Sequence, residues 1–125
     1  MKKKILVVED TFEALDNLRE LLELEGFEVV TAANGAEAMY KFYLFTPDIV
    51  ITDLRMPKMD GFTFIEKLKK TEALKSIPII VFSANATSEN EHNSLQSGAA
   101  LFLKKPCPTE VLLKSIHSVL DGTIS

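Results

Sequence analysis

Cysteine is almost absent from the sequence, and Cys107 is its single representative. An internal disulfide requires two cysteines, so this kind of stabilisation is excluded. The lysines at positions 2–4 are followed by only four apolar residues before Glu9, which is too short a run for a secretory signal peptide. We therefore expect the protein to work in the reducing environment of the cytoplasm.

Long hydrophobic runs and an excess of positive charge are missing as well. Hydrophobic residues make up 46% of the chain and charged residues 26%, which is typical of a globular protein and excludes insertion into a membrane. The formal net charge of -4 disfavours direct binding to nucleic acid, because phosphate contacts require a clustered cationic surface. Repeats and linker-like stretches are also absent. We expect residues 1–125 to form one soluble domain.

Short runs rich in valine and isoleucine alternate with longer segments of helical character. The runs cover residues 5–8, 28–31, 49–52, 79–82 and 100–103. This alternation predicts five parallel strands joined by helices, and right-handed crossovers place such helices on both faces of the sheet. The predicted fold is a doubly wound α/β domain with flavodoxin-like strand order 2-1-3-4-5 and five helices in a three-layer sandwich.

The helical segments carry recognisable starts, stops and apolar faces. Asn34 followed by Glu37 predicts the start of the second helix, and Asp60 predicts the start of the third. Gly26 predicts the end of the first helix and Pro108 the first turn of the last. The predicted core faces of the first and last helices consist of Phe12, Leu15, Leu18 and Leu22, and of Val111, Leu112, Ile116 and Leu120.

The fourth helical segment is weakly specified. Residues 87–97 (TSENEHNSLQS) contain Leu95 as their only large apolar side chain. We expect a helix that is loosely held against the core and easily displaced.

Three carboxylates follow two strands that are neighbours in the predicted sheet. Glu9 and Asp10 follow the first strand, and Asp53 follows the third. Taken singly, Asp10 could be a helix N-cap and Asp53 a turn residue before Pro57. Taken together they meet at the switch point of the sheet, where a divalent cation would relieve their mutual repulsion. Oxygen ligands without nearby cysteine or histidine favour Mg²⁺.

Two further polar residues stand at the ends of the fourth and fifth strands. Ser83 follows the fourth strand with a hydroxyl, and Lys105 follows the fifth with an ammonium. Each has a plain structural alternative, a turn serine and a surface lysine. Transfer of a phosphoryl group to a carboxylate requires both a hydrogen-bond donor and a positive charge at the transferring oxygens. The combination therefore predicts a phosphoryl-transfer site.

Four ordered motifs that span the chain resemble the receiver domain of two-component response regulators. They are ILVVED at 5–10, IVITDLRMPKMDG at 49–61, VFSA at 81–84 and GAALFLKKP at 98–106. The resemblance implies that Asp53 is the phosphoryl acceptor, that Ser83 is the hydroxyl of the switch and that Lys105 precedes a cis proline. It also implies that Mg²⁺ is bound by Glu9, Asp10, Asp53 and the backbone carbonyl of Arg55.

The resemblance carries implications for partners and for the lifetime of the phosphoryl group. The donor would be a histidine kinase or a phosphotransfer protein, and the domain would catalyse its own phosphorylation and dephosphorylation without metabolic turnover. Arg55 and Asn85 would set the lifetime. Phe102 matches an aromatic switch position and would rotate inward as Ser83 moves. A downstream protein would bind the face made by the fourth helix, the fifth strand and the fifth helix.

Other functions are less consistent with the sequence. A nucleotide-binding domain would carry a glycine-rich loop after the first strand, where this chain has Glu9 and Asp10. Aspartate-nucleophile phosphatases resemble a different pattern, in which the nucleophilic Asp follows the first strand and a second Asp comes two residues later, and this chain lacks that pattern. A degenerate receiver that only docks proteins stays an alternative, although the acceptor-site residues are intact. No output domain is recognisable after Pro106, so the domain would act through a separate partner or as a part of a longer protein.

Overall fold

The computed structural model describes residues 2–56 and 59–122. Strands and helices alternate in the order β1 (Lys4–Val8), α1 (Phe12–Leu24), β2 (Glu28–Ala32), α2 (Gly35–Lys41), β3 (Ile49–Thr52), α3 (Gly61–Lys70), β4 (Ile79–Ser83), α4 (Ser88–Ser97), β5 (Leu101–Lys104) and α5 (Thr109–Leu120). The predicted strands and helices are confirmed to within one or two residues. The turn predicted at Pro57 lies outside the described residues.

The five strands form one parallel sheet in the order β2-β1-β3-β4-β5, which confirms the predicted topology. Val8 at the end of β1 pairs with Thr52 at the end of β3. Ser83 at the end of β4 pairs with Lys104 at the end of β5. The residues that follow these strands therefore meet at one edge of the sheet.

Apolar side chains cover both faces of the sheet because β1, β3 and β4 are almost continuously hydrophobic. On one face, strand residues such as Val50 pack with Phe64 and Leu68 of α3. On the other face, Ile51 packs with Leu22 of α1 and with residues of α5. The sheet is thus the shared middle layer of two cores.

The residues predicted at the helix ends lie there, except that Pro108 is the N-cap of α5 and not a residue of its first turn. Asn34 accepts a hydrogen bond from the backbone N–H of Glu37 at 2.8 Å, and Asp60 accepts one from Thr63 at 2.9 Å. The first helix ends at Leu24 with Glu25 as its C-cap, and Gly26 follows with a φ of 95°, in the left-handed region that glycine adopts without strain. The backbone N–H of Gly26 donates to the carbonyl of Glu23.

Two residues assigned to helix core faces are exposed, so those assignments were wrong. Phe12 is 75% exposed, because it opens α1 beyond the carboxyl end of the sheet, where few side chains are available for packing. Val111 is 45% exposed. The buried stripe of α5 instead consists of Leu112, Ile116 and Val119, which follow helical spacing, and Val111 lies to one side of it.

The fourth helix is even less apolar on its inner side than the sequence predicted. Leu95 is 43% exposed and does not anchor the helix. The buried side chain is Ser94, whose hydroxyl donates to the carbonyl of Asn90 at 2.7 Å. This helix therefore gains little free energy from hydrophobic burial.

Candidate functional site

Asp53 follows β3 directly and is oriented by the backbone around it. Its N–H continues the sheet by donating to the carbonyl of Val8 at 3.1 Å. Its Oδ1 accepts hydrogen bonds from the N–H of Leu54 at 2.6 Å and of Arg55 at 3.4 Å. The side chain is 14% exposed. One carboxylate oxygen is thereby held by the chain, and Oδ2 is left to face other groups.

Gly61 permits the close packing that supports this loop. Its N–H donates to the carbonyl of Leu54 at 2.9 Å. A Cβ at position 61 would lie 2.6 Å from the carbonyl oxygen of Asp53 and 2.7 Å from the Cα of Leu54. Only glycine allows α3 to begin this close to the residues that position the Asp53 carboxylate.

Glu9 is buried beside Asp53, and both of its carboxylate oxygens have partners. Its Oε2 accepts from the N–H of Thr11 at 3.1 Å, and its Oε1 lies 2.6 Å from the Nζ of Lys105. The residue is only 6% exposed. A buried carboxylate is stable when such charge-assisted hydrogen bonds replace its hydration.

Lys105 lies between the two carboxylates. Its Nζ is 2.6 Å from Glu9 Oε1 and 3.4 Å from Asp53 Oδ2, and its backbone N–H donates to the carbonyl of Ser83 at 3.0 Å. The peptide bond to Pro106 is cis, as the resemblance implied. Burial lowers the pKa of Lys105, but the hydrogen bond to Glu9 and the charge of Asp53 outweigh burial and hold the pKa above its usual value.

Asp10 does not join this arrangement of charges. Its side chain is exposed, and the N-cap of α1 is Thr11, so the alternative role of Asp10 as a cap is not realised either. Within residues 2–56 and 59–122, no three acidic, histidine or cysteine side chains form a group that could hold a metal ion. Glu9 and Asp53 nevertheless share one cation, the Lys105 ammonium. Their oxygens therefore face a common point and suit a hard cation such as Mg²⁺.

A cavity of about 230 Å³ opens beside Asp53. It is lined by Asp53, Arg55, Ser83, Ala84 and Asn85. The Ser83 hydroxyl is buried and accepts a hydrogen bond from the N–H of Asn85 at 3.1 Å. The structure thus brings the predicted acceptor, the hydroxyl and both predicted lifetime residues around one small cavity.

A second and larger cavity lies on the other side of Asp53, between α1 and α5. Its volume is about 670 Å³, and its lining includes Leu18, Phe82 and Leu112 together with Lys105. The ring of Phe82 has its centroid 5.2 Å from the Lys105 Nζ. Sequence reasoning assigned Phe82 to a strand and missed this contact. The available indication was its position directly before Ser83. Successive residues of a strand point to opposite faces of the sheet, so Phe82 had to lie on the face opposite to Ser83 at the same strand end.

Phe102 lies on β5 opposite Val81 of β4 and is partly buried. It packs against the core cluster that contains Phe64 and Leu68. It is not among the residues that line either cavity at Asp53. Its role as a rotating aromatic residue stays a prediction.

No helix among the described residues has the length and apolar character needed to cross a membrane. The cytoplasmic location expected from the sequence stays a prediction.

Curated proteins with similar sequences include regulators of several sizes. The chain is 38% identical over 122 residues to the probable transcriptional regulator ycf27 of Cyanophora paradoxa, covering 98% of this chain and 50% of that protein. It is 34% identical to the chemotaxis protein CheY of Bacillus subtilis, covering 97% of this chain and 100% of that protein. The chain therefore spans about half the length of some of these relatives and the whole length of others.

Solved structures with the same fold include signalling domains. The signal receiver domain of a signal transduction histidine kinase from Syntrophus aciditrophicus has a TM-score of 0.89 at 34% identity, covering 96% of this chain and 91% of that one. The chemotaxis response regulator CheY4 of Vibrio cholerae has a TM-score of 0.88 at 32% identity, covering 95% and 99%. The family model of the response regulator receiver domain matches residues 5–117. This chain belongs to the receiver domain family of two-component response regulators, whose general role is to accept a phosphoryl group.

Proposed function

We propose that Asp53 accepts a phosphoryl group from a phosphohistidine on a histidine kinase or phosphotransfer protein. Asp53 Oδ2 attacks the phosphorus in line with the leaving nitrogen. The new O–P bond forms as the P–N bond breaks, and the released histidine nitrogen takes a proton from solvent. The product is an acyl phosphate on Asp53.

The orientation of the Asp53 carboxylate is the observation that best supports this proposal. Backbone N–H groups of Leu54 and Arg55 hold Oδ1, while Oδ2 lies 3.4 Å from the Lys105 Nζ. The adjoining 230 Å³ cavity offers room for a phosphoryl group beside the Ser83 hydroxyl. The site is therefore preorganised for an anion that arrives at Oδ2.

Magnesium would be held by Glu9, Asp53 and the carbonyl of Arg55, with Asp10 available from the adjacent turn. When bound, it would supply positive charge to the transferring oxygens. The Lys105 ammonium lies 2.6 Å from Glu9 Oε1, so we expect a metal bound at Glu9 to exchange with the ammonium because the two cations repel each other. This exchange would free the ammonium to face the oxygens of the phosphoryl group.

The same site resets itself, because water can attack the acyl phosphate along the path used by the donor. The Arg55 side chain is exposed and lines the small cavity together with Asn85. We expect these two residues to control how readily water enters. The domain then acts as a timer for the signal that it carries.

The signal would be read on the face formed by α4, β5 and α5. A phosphoryl group adds roughly two negative charges and would draw the Ser83 hydroxyl toward its oxygens. Movement at Ser83 would give Phe102 room to turn inward and would shift the weakly anchored α4. A downstream protein would distinguish the two arrangements of this face.

The test is incubation with a small phosphodonor and Mg²⁺, followed by mass spectrometry of the intact protein. We expect the mass of one phosphoryl group to appear in the wild type and to be absent in Asp53→Asn. Asp121→Asn removes an exposed carboxylate at the end of α5 and should be phosphorylated like the wild type. A wild type without an Asp53-dependent adduct would refute phosphoryl transfer and leave the protein-docking alternative.

A further inference from the structure

We propose that Phe82 is a positioning residue for phosphoryl transfer, and that the face of its ring holds the Lys105 ammonium between the carboxylates. This inference rests on the proposed function of Asp53. It assigns a role to a side chain that contacts neither the phosphoryl group nor a metal.

The geometry of β4 directs Phe82 and Ser83 to opposite sides of the acceptor. Phe82 lines the 670 Å³ cavity between α1 and α5, and Ser83 lines the 230 Å³ cavity. This is the alternation expected for consecutive residues of a strand. The end of β4 therefore contributes one group to each side of Asp53.

The Lys105 ammonium has three neighbours of different kinds. Two are carboxylates, Glu9 at 2.6 Å and Asp53 at 3.4 Å, and the third is the Phe82 ring with its centroid at 5.2 Å. An aromatic face attracts a cation without accepting one of its directional hydrogen bonds to oxygen. The ring thus stabilises the position of the ammonium while its protons stay available to carboxylate and phosphoryl oxygens.

The large cavity explains why such a support is needed. Lys105 and Phe82 both line it, together with apolar residues such as Leu18 and Leu112 and polar ones such as Asn17, so the ammonium has room to take other positions. A lysine side chain has a flexible stem of four carbons and loses considerable conformational entropy when it is held in one position. Without the ring, the Lys105 side chain would move through this cavity, and its ammonium would lie beside Asp53 for a smaller fraction of the time.

The first measurement compares the initial phosphorylation rate of variants with a small phosphodonor. Phe82→Leu and Phe82→Met keep an apolar side chain but remove the aromatic face, and we expect a rate about fivefold lower. Phe82→Tyr keeps the face and should stay within about twofold of the wild type. Urea unfolding of each variant identifies those that are folded under the assay conditions. Equal rates in the wild type, Phe82→Leu and Phe82→Met would overturn the proposal.

The second measurement separates positioning from general packing. In a Lys105→Met background, Phe82→Leu should cause no further loss of rate, because the ring acts through the ammonium. The ε protons of Lys105 should also show an upfield ring-current shift in the NMR spectrum of the wild type that disappears in Phe82→Leu. The same fractional loss in both backgrounds would show that Phe82 only supports the fold. A wild type that is not phosphorylated at all would instead refute the proposed function.

Discussion

The Lys105 ammonium occupies the point at which the proposed magnesium would bind. It already neutralises Glu9 and Asp53, two of the carboxylates proposed to hold that metal. A single cation at this point satisfies both carboxylates, so a second one must displace it or bind against its charge. We therefore expect movement of Lys105 to open the proposed metal site.

Lys105→Met should bind Mg²⁺ about tenfold more tightly than the wild type, because the competing ammonium is gone. A tenfold gain in affinity corresponds to about 1.4 kcal/mol of binding free energy. The measurement is a Mg²⁺ titration followed by the amide NMR signals of Asp53 and Leu54. Lys104→Met is the matched control. Lys104 is exposed and directly precedes Lys105, and its substitution changes the net charge by the same amount. A similar gain in both variants would show that overall charge, and not competition at Glu9, determines the affinity.

Arg55 offers a separate test of how water reaches the acceptor. Its exposed side chain lines the cavity beside Asp53. The acyl phosphate of Arg55→Ala should therefore be hydrolysed about threefold faster, which corresponds to an activation free energy lower by less than about 1 kcal/mol. Arg55→Met keeps most of the bulk without the charge and should hydrolyse at nearly the wild-type rate. Decay of the phosphorylated protein after removal of the donor measures both. If phosphorylated Arg55→Ala decays no faster than the wild type, the hypothesis that the bulk of Arg55 shields the acyl phosphate from water is wrong.

The residues of the site were predictable from sequence to the extent that strand topology determines their position. Glu9, Asp53 and Lys105 each follow a strand of the parallel sheet, Ser83 is the last residue of another, and the carboxyl ends of neighbouring strands meet at one edge. Asp10 was not predictable in the same way, because the direction of a side chain in a turn depends on local backbone geometry. It is exposed, although its neighbour Glu9 is buried.

At the scale of secondary structure, α4 is the element most suited to respond to the site. Its inner side lacks a large buried apolar residue, and a chain of hydrogen bonds ties it to Ser83, which lines the same small cavity as Asp53. The N–H of Asn85 donates to Ser83 Oγ at 3.1 Å, and Asn90 Nδ2 donates to the carbonyl of Asn85 at 2.9 Å. The Ser94 hydroxyl then donates to the carbonyl of Asn90. We therefore expect a rotation of the Ser83 hydroxyl to be transmitted to α4.

Asn90→Ala should loosen this tie and raise the hydrogen-exchange rates of the α4 amides, which we already expect to exceed those of α1 in the wild type. The change should also reduce the shifts of α4 amide NMR signals that accompany phosphorylation. Asn93→Ala lies on the same helix at an exposed position and should alter neither quantity. Protection of α4 equal to that of α1, or equal effects of the two substitutions, would contradict the coupling.

Helix ends were predicted better than helix faces, for a physical reason. A cap is a local contact within four residues, so Asn34 and Asp60 determine it without reference to the rest of the fold. Burial depends on where the helix lies against the sheet. Phe12 has the right spacing for the core face of α1 and is still exposed, because it lies before the helix reaches the sheet.

At the scale of the whole molecule, one sheet serves two hydrophobic cores. Val50 contributes to the core under α2 and α3, and Ile51 contributes to the core under α1 and α5. Since adjacent residues of the same strand belong to different cores, loss of either core removes support from the strands that position Asp53. We therefore expect the domain to unfold in a single cooperative transition.

Substitutions in the two cores test this expectation. Leu22→Ala in α1 and Leu68→Ala in α3 each truncate a fully buried side chain and should lower the free energy of unfolding by about 2–5 kcal/mol. Leu24→Ala changes a side chain in the same helix as Leu22 that is 84% exposed, and it should cost less than about 0.5 kcal/mol.

Urea unfolding should be followed by far-ultraviolet circular dichroism and by NMR signals from each face of the sheet. Because β1, β3 and β4 are common to both cores, Leu68→Ala should shift the transition of signals from α1 and α5 as much as that of signals from α3. Coincident midpoints in every variant would confirm cooperative unfolding. A Leu68→Ala variant whose α1 and α5 signals keep the wild-type midpoint would show instead that the two cores unfold independently, and a phosphoryl group at Asp53 could then stabilise one face without the other.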